Sequence, residues 1–243
     1  MSVKAILFDL DGTLLPMDQE LFVKSYLGRL AHAMAVHGYD PKKLVKAIWT
    51  GTGAMVQNDG SRNNEAVFWN VFSSFFGTES LKDQPLFDDF YRKGFPAVQE
   101  SCGFAPEARQ VLDKVKRLGL PAILATNPIF PAIATHQRIQ WAGLDTSDFM
   151  HITTYENSSF CKPNPAYYRE ILERLGLQPQ ECLMVGNDVT EDMVTKGMGM
   201  QVFLLTHSLI NKQNQDISCY PHGNFDALLA HLDQLGEKAE AKE

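Results

Sequence analysis

The spacing of apolar positions changes twice along the chain. Val3 to Phe8 is a short, continuous apolar run, the pattern of a strand buried on both faces. It ends in Asp9-Leu10-Asp11-Gly12-Thr13. From about Asp18 to Gly38 the apolar residues Leu21, Phe22, Tyr26, Leu27, Leu30 and Met34 recur at helical spacing, and Gly38 is a stop signal. The same spacing predicts helices over Pro41–Ile48, Asn64–Phe76 and Leu86–Val98, with no strand-like segment between them.

Beyond Phe104 helices and strands alternate. Helices are predicted over Pro106–Leu118, Pro131–Trp141, Pro165–Leu175 and Thr190–Lys196. Strands are predicted over Pro121–Ala125, Phe149–Thr153 (a weak one), Cys182–Val185 and Gln201–Leu205. Asn224–Leu235 reads as a closing helix and 236–243 as a charged, frayed tail. Alternation of this kind implies an α/β fold with a parallel sheet covered by helices on both faces. The expected organisation is a core of residues 1–16 and 102–243, split by an inserted all-helical cap of residues 17–101.

Composition narrows the function. The chain has 243 residues and a net charge of -7, so no cationic surplus exists to neutralise nucleic-acid phosphates. The N-terminus lacks the layout of a secretory signal, and no run reaches the roughly 18 apolar residues of a membrane span. Cys102, Cys161, Cys182 and Cys219 show no metal-like spacing and read as reduced thiols, Cys161 as a packed one. A cytoplasmic protein without membrane or nucleic-acid partners is expected, as a monomer or weak homodimer.

Ligands of open parallel sheets gather beyond the carboxyl ends of the strands. Those ends carry Asp9 and Asp11, Thr126 and Asn127, Lys162, and Asp188. Together they meet the needs of phosphoryl transfer: a nucleophile, charge neutralisation and a proton donor. Asp9 can form an acyl phosphate. Repulsion between a carboxylate and a phosphate 4 Å apart is about 4 kcal/mol at an effective dielectric near 20. Asp9 and Asp188 are hard oxygen ligands suited to Mg²⁺, and Lys162 adds a positive charge. Thr126, with Asn127 beside it, can hold phosphate oxygens. Asp11, two residues beyond Asp9 on an extended segment, can serve as acid and base. Asp192, one helical turn after Asp188, is expected to orient metal waters or Lys162.

Asp9-Leu10-Asp11-Gly12-Thr13-Leu14 resembles the first motif of the haloacid-dehalogenase-like hydrolases. Thr126-Asn127 resembles their second motif, Lys162-Pro163 their third, and Gly186 to Asp192 their acidic fourth. The helical insertion resembles their C1 cap, as in phosphoglycolate-phosphatase-like members. The resemblance implies a Rossmann-like core with a five-stranded sheet, the nucleophile strand in its middle, and the Asp11 main-chain carbonyl completing the metal shell. It places Thr13, Asn187 and Asp192 in support around the acidic residues. Where many relatives carry Gly-Asp this chain has Gly186-Asn187, so the metal ligand is placed on Asp188, with Asn187 as the alternative. The implied activity is Mg²⁺-dependent hydrolysis of a small phosphorylated metabolite through an aspartyl-phosphate. A phosphomutase of the β-phosphoglucomutase type and a regulatory binding protein on the same fold are the rivals; a dehalogenase would lack the acid at Asp11. In the cap, Thr50 to Gly53 and Asn58 to Arg62 read as solvated loops, with Arg62 the alternative contact for a second anionic group on a substrate, and Trp49, Phe68 and Trp69 read as cap core.

Overall fold

The computed structural model describes residues 2–240, with side chains to residue 237. Six parallel strands form one sheet: β1 (Ala5–Phe8), β2 (Ala122–Leu124), β3 (His151–Ile152), β4 (Cys182–Gly186), β5 (Gln201–Leu205) and β6 (His222–Gly223). Their order across the sheet is β3-β2-β1-β4-β5-β6. The first five strands put β1 in the centre. The sixth exceeds the five expected; two residues at an edge carry no apolar run to announce them. Along β1, Ile6 and Phe8 face one core cluster and Ala5 and Leu7 the other, so period-two alternation feeds two helical layers.

Between β1 and the next strand lie α1 (Gln19–Ala35), α2 (Pro41–Val56), α3 (Asn64–Phe76) and α4 (Gln84–Lys93). Asp18, Asp40 and Asn63 cap the first three, each accepting N–H groups of the first turn. The core helices are α5 (Glu107–Arg117), α6 (Ala132–Trp141), α7 (Pro165–Leu175) and α8 (Phe225–Glu240).

Several expectations are corrected. The helix predicted to stop at Ile48 runs to Val56, so Thr50 to Gly53 are helical and not a loop. Gly51 is there for packing: a Cβ would lie 2.7 Å from the Phe68 ring of α3. Trp49 on the same helix is 54% exposed and outside the cap core, whereas Phe68 and Trp69 are buried. The helix predicted over Leu86–Val98 is α4 followed by a 3-10 helix, Phe95–Ser101. Gly94 and Pro96 break the α-helical ladder there. The helix predicted over Thr190–Lys196 is a turn followed by a 3-10 helix, Met193–Met198. Of the tail expected over 236–243, residues to 240 continue α8, and 241–243 lie outside the described residues.

The helical block joins the sheet through two chain segments lying side by side, Met17 bridging Cys102 and Gly103 N–H donating to Pro16 at 2.7 Å. It is also fastened at the start of α3. Asn64 is fully buried, and its Nδ2 donates to Pro128 O (3.1 Å), Phe160 O (3.3 Å) and Cys161 Sγ (3.3 Å). The N–H groups of Asn64 and Glu65 donate to Ser158 and Tyr155 of the core. Aromatic packing crosses this junction, with Phe22, Tyr26 and Phe95 from the insertion against Phe130 and Trp141.

Candidate active site

Past β1 the chain does not stay extended. Leu10 O accepts the N–H groups of Thr13 (3.1 Å) and Leu15 (2.9 Å), which curls the segment into a tight loop. Gly12 sits at φ +88°, and a Cβ on it would lie 2.4 Å from Asn187 Nδ2, so both conformation and space demand glycine. The curl differs from the extended geometry expected, yet Asp9 and Asp11 still open on the same cavity. That cavity, about 200 Å³, is also lined by Thr126, Asn127, Asn187, Asp188 and Asp192. Lys162 and Thr13 do not line it but contact residues that do, Asp9, Asp192 and Asn187.

Lys162 is 1% exposed, and its Nζ donates to Asp9 Oδ1 at 2.8 Å and Asp192 Oδ1 at 2.7 Å. Burial alone would lower the pKa of its ammonium, but the Asp192 and Asp9 carboxylates hold it well above the usual lysine range. Burial pushes the Asp192 carboxyl up, against the pull of Lys162. Thr13 Oγ1 sits 3.0 Å from Asp9 Oδ2 and 2.9 Å from Asn187 Oδ1, so its proton can go to either. Both oxygens of Asp9 are thereby fixed in direction.

Asp188 and Asp192 do not share a helical face. The Asp192 carboxylate turns back to accept the N–H groups of Asn187 and Asp188, both at 3.0 Å. Asp188 Oδ1 accepts those of Thr190 (2.7 Å) and Glu191 (2.9 Å). Asp188 thus caps this turn as Asp18 caps α1, and Asp192 N–H donates to Asp188 O at 3.0 Å; beyond that one turn the chain tightens into the 3-10 helix from Met193. Gly186 is required by the same arrangement, since a Cβ there would sit 2.1 Å from Asp192 Oδ2. The amide of Asn187 is engaged at both ends, Nδ2 donating to Ser208 O at 2.7 Å. Thr126 is held from behind, its carbonyl accepting the hydroxyls of Thr153 and Tyr167, both at 2.7 Å. Asn127 Nδ2 donates to Glu191 Oε2 at 3.2 Å.

Sequence reasoning missed Arg138. This α6 residue is fully buried and ion-pairs through Nη1 with Asp11 Oδ2. Its Nη2 donates to Thr135 Oγ1 at 3.2 Å, and its guanidinium lies 4.5 Å from the Phe130 ring centroid. Burial pushes the Asp11 carboxyl up, Arg138 opposes that, and Asp9 reinforces it. A signal existed, because Arg138 falls on the helix face of Ala134, Thr135 and Trp141, where an arginine needs an anionic partner. Glu191 was also missed; it is partly buried at the cavity, and burial pushes its carboxyl up. Cys161 is a buried thiol that burial pushes up to about 12, unsuited to nucleophilic work. Arg62 stays exposed and does not line the cavity.

The fold agrees with comparison to known proteins. Residues 3–195 match the haloacid dehalogenase-like hydrolases, and the chain belongs to that family. It is 26% identical over 207 residues to a phosphoglycolate phosphatase of Vibrio vulnificus, covering 84% of each chain. It is 24% identical over 220 residues to the pyrophosphatase PpaX of Bacillus velezensis, covering 90% of this chain and 89% of that one. Among solved structures, a HAD phosphatase from Thermococcus onnurineus superposes with a TM-score of 0.59 at 19% identity, over 95% of this chain and 98% of the other. No helix among the described residues is long and apolar enough to cross a membrane.

Proposed function

We propose that the chain is a Mg²⁺-dependent phosphatase that hydrolyses a small phosphorylated metabolite through an aspartyl-phosphate on Asp9. The observation that carries this reading is the setting of Asp9: a carboxylate 7% exposed at the end of β1, one oxygen on the Lys162 ammonium and the other beside Thr13.

The residues fit a divalent cation. Among the described residues no three His, Cys, Asp or Glu side chains cluster closely enough to hold a metal by themselves. Mg²⁺ does not need that, because it keeps several waters and binds through one or two carboxylates plus substrate phosphate. The Asp9 and Asp188 carboxylates with the Asp11 main-chain carbonyl would supply an all-oxygen set of that kind. Bound there, the ion would offset the negative charge of phosphate facing Asp9.

Asp9 attacks phosphorus, forming an Asp9 O–P bond as the ester P–O bond breaks. Asp11 in its protonated form gives its proton to the leaving oxygen, then takes one from the water that cleaves the acyl phosphate. Burial raises the Asp11 carboxyl and the Arg138 ion pair opposes that. Arg138 fixes the direction of the Asp11 carboxyl, and Lys162, Thr126 and Asn127 hold phosphate oxygens. The insertion of residues 17–101 acts as a cap that excludes water and chooses the leaving group. Phosphate release from p-nitrophenyl phosphate with and without Mg²⁺, in the parent and in Asp9→Asn, tests this. Turnover should require Mg²⁺ and vanish in the variant while its fold persists; turnover retained by Asp9→Asn sinks the assignment.

A further inference from the structure

The cavity beside Asp9 has two unlike walls. On one side stand the acidic and amide residues already described. On the other stand Met17, Phe22 and Val23 from the start of the cap, with Ile129 and Phe130 from the core. Phe130 is held rigidly: the Phe22 ring meets it edge-on at 6.0 Å, Tyr26 at 5.3 Å, and the Arg138 guanidinium covers it at 4.5 Å. A second, smaller cavity of about 50 Å³ shares Ile129 and Phe130 with the first and is lined mostly by aromatic residues, among them Tyr26, Trp69 and Tyr155, with Asp88 also in its lining.

Charge at the cavity points the same way. Among the described lining residues, every charged side chain is a carboxylate: Asp9, Asp11, Asp188, Glu191 and Asp192. The Lys162 ammonium is engaged by Asp9 and Asp192, and Arg138 by Asp11 and Thr135. One phosphate can be matched by Lys162 and a divalent cation. A second anionic group on the leaving portion would face Asp11 and Glu191 across an apolar wall.

We infer that this site, read as a phosphatase site, selects phosphate monoesters of small uncharged alcohols or phenols with an apolar face, and discriminates against leaving groups that carry a carboxylate or a second phosphate. Apolar leaving-group surface gains by leaving water against Phe22 and Phe130. A carboxylate placed there loses its hydration and meets like charge. The volume, below the roughly 300–1,000 Å³ of sites for drug-sized ligands, limits the alcohol to a small one. The preference sets this chain apart from its relatives named for phosphoglycolate and pyrophosphate.

The experiment measures kcat/KM by phosphate release, on the full chain with Mg²⁺, for phenyl phosphate, n-butyl phosphate, 2-phosphoglycolate and pyrophosphate. The better uncharged ester should exceed both anionic substrates by about tenfold or more. A smaller ratio, or a reversed one, overturns the specificity while leaving the phosphatase reading intact. No release from any of the four removes that reading and this inference with it. A second arm uses Gln19→Arg, which adds a guanidinium at an exposed position on the cavity rim. It should shift the ratio about tenfold toward 2-phosphoglycolate. An unmoved ratio would show that the leaving group does not lie against this wall.

Discussion

Replacing Lys162 with methionine removes the one ammonium that separates two buried carboxylates. Its contacts are 2.8 Å to Asp9 and 2.7 Å to Asp192, at a site 1% exposed. At an effective dielectric near 20 each contact represents about 6 kcal/mol of gross attraction, most of it offset by the desolvation of the charges. The net loss on deleting one partner of a buried pair is about 3–5 kcal/mol, because the other charge is left stranded. For a chain of this length that is a fall in Tm of roughly 6–20 °C. Urea denaturation followed by circular dichroism, in EDTA so that no divalent ion substitutes for the ammonium, measures it. The double variant Lys162→Met with Asp192→Asn removes one of the stranded charges and should recover more than half of the stability. Phosphatase turnover, assayed with Mg²⁺, should stay abolished in both, since neither keeps the ammonium that meets substrate phosphate alongside the divalent ion. A single variant within about 1 kcal/mol of the parent would refute the electrostatic reasoning. So would a double variant no more stable than the single.

Three further outcomes are expected. Arg138→Met should lower kcat about 100-fold on an alkyl phosphate, whose leaving oxygen needs the Asp11 proton, and less than tenfold on p-nitrophenyl phosphate, whose leaving group departs unprotonated; equal losses on both would show that Arg138 does not direct Asp11. Asn64→Ala strips hydrogen-bond donors from Pro128 O and Phe160 O, and should cost about 1–3 kcal/mol and raise amide exchange across 58–66; unchanged protection there would mean that the cap is fastened elsewhere. His151 is half-buried, and burial, aided by Arg174, lowers its pKa below 6.5. The unfolded chain then binds the proton more readily, so this contribution to stability is intact above pH 6.5 and is lost as pH falls below it. The fall in Tm between pH 7 and pH 5.5 should be smaller in His151→Asn, and an identical fall in both proteins would count against the assignment.

Much of the molecule was decided locally. The apolar runs of β1, β4 and β5 admit only burial on both faces, and the caps Asp18, Asp40 and Asn63 start their helices where the spacing begins. Asp9, Asp11, Thr126, Lys162 and Asp188 were legible because strand ends in a parallel sheet must converge, so residues far apart in sequence acquire one address. What local pattern could not settle was any feature created by a contact between distant segments. Thr50 to Gly53 look like a loop until Phe68 of the next helix needs the space over Gly51. Thr190 to Lys196 look helical, yet the chain makes one capped turn and then a 3-10 helix while the Asp192 carboxylate is drawn back to the N–H groups of Asn187 and Asp188. Arg138 is one cation on an otherwise ordinary helix, and only the packing of α6 beside the loop after β1 makes it the partner of Asp11. Its burial without a counter-charge would be prohibitive, and no spacing rule encodes which carboxylate provides it. The sequence by itself therefore determined the elements, their alternation and the acidic chemistry at the strand ends. The tertiary structure alone decided which charges neutralise one another and which side chains share the cavity, because Coulomb and desolvation energies depend on distances and burial that arise only when the chain has closed on itself.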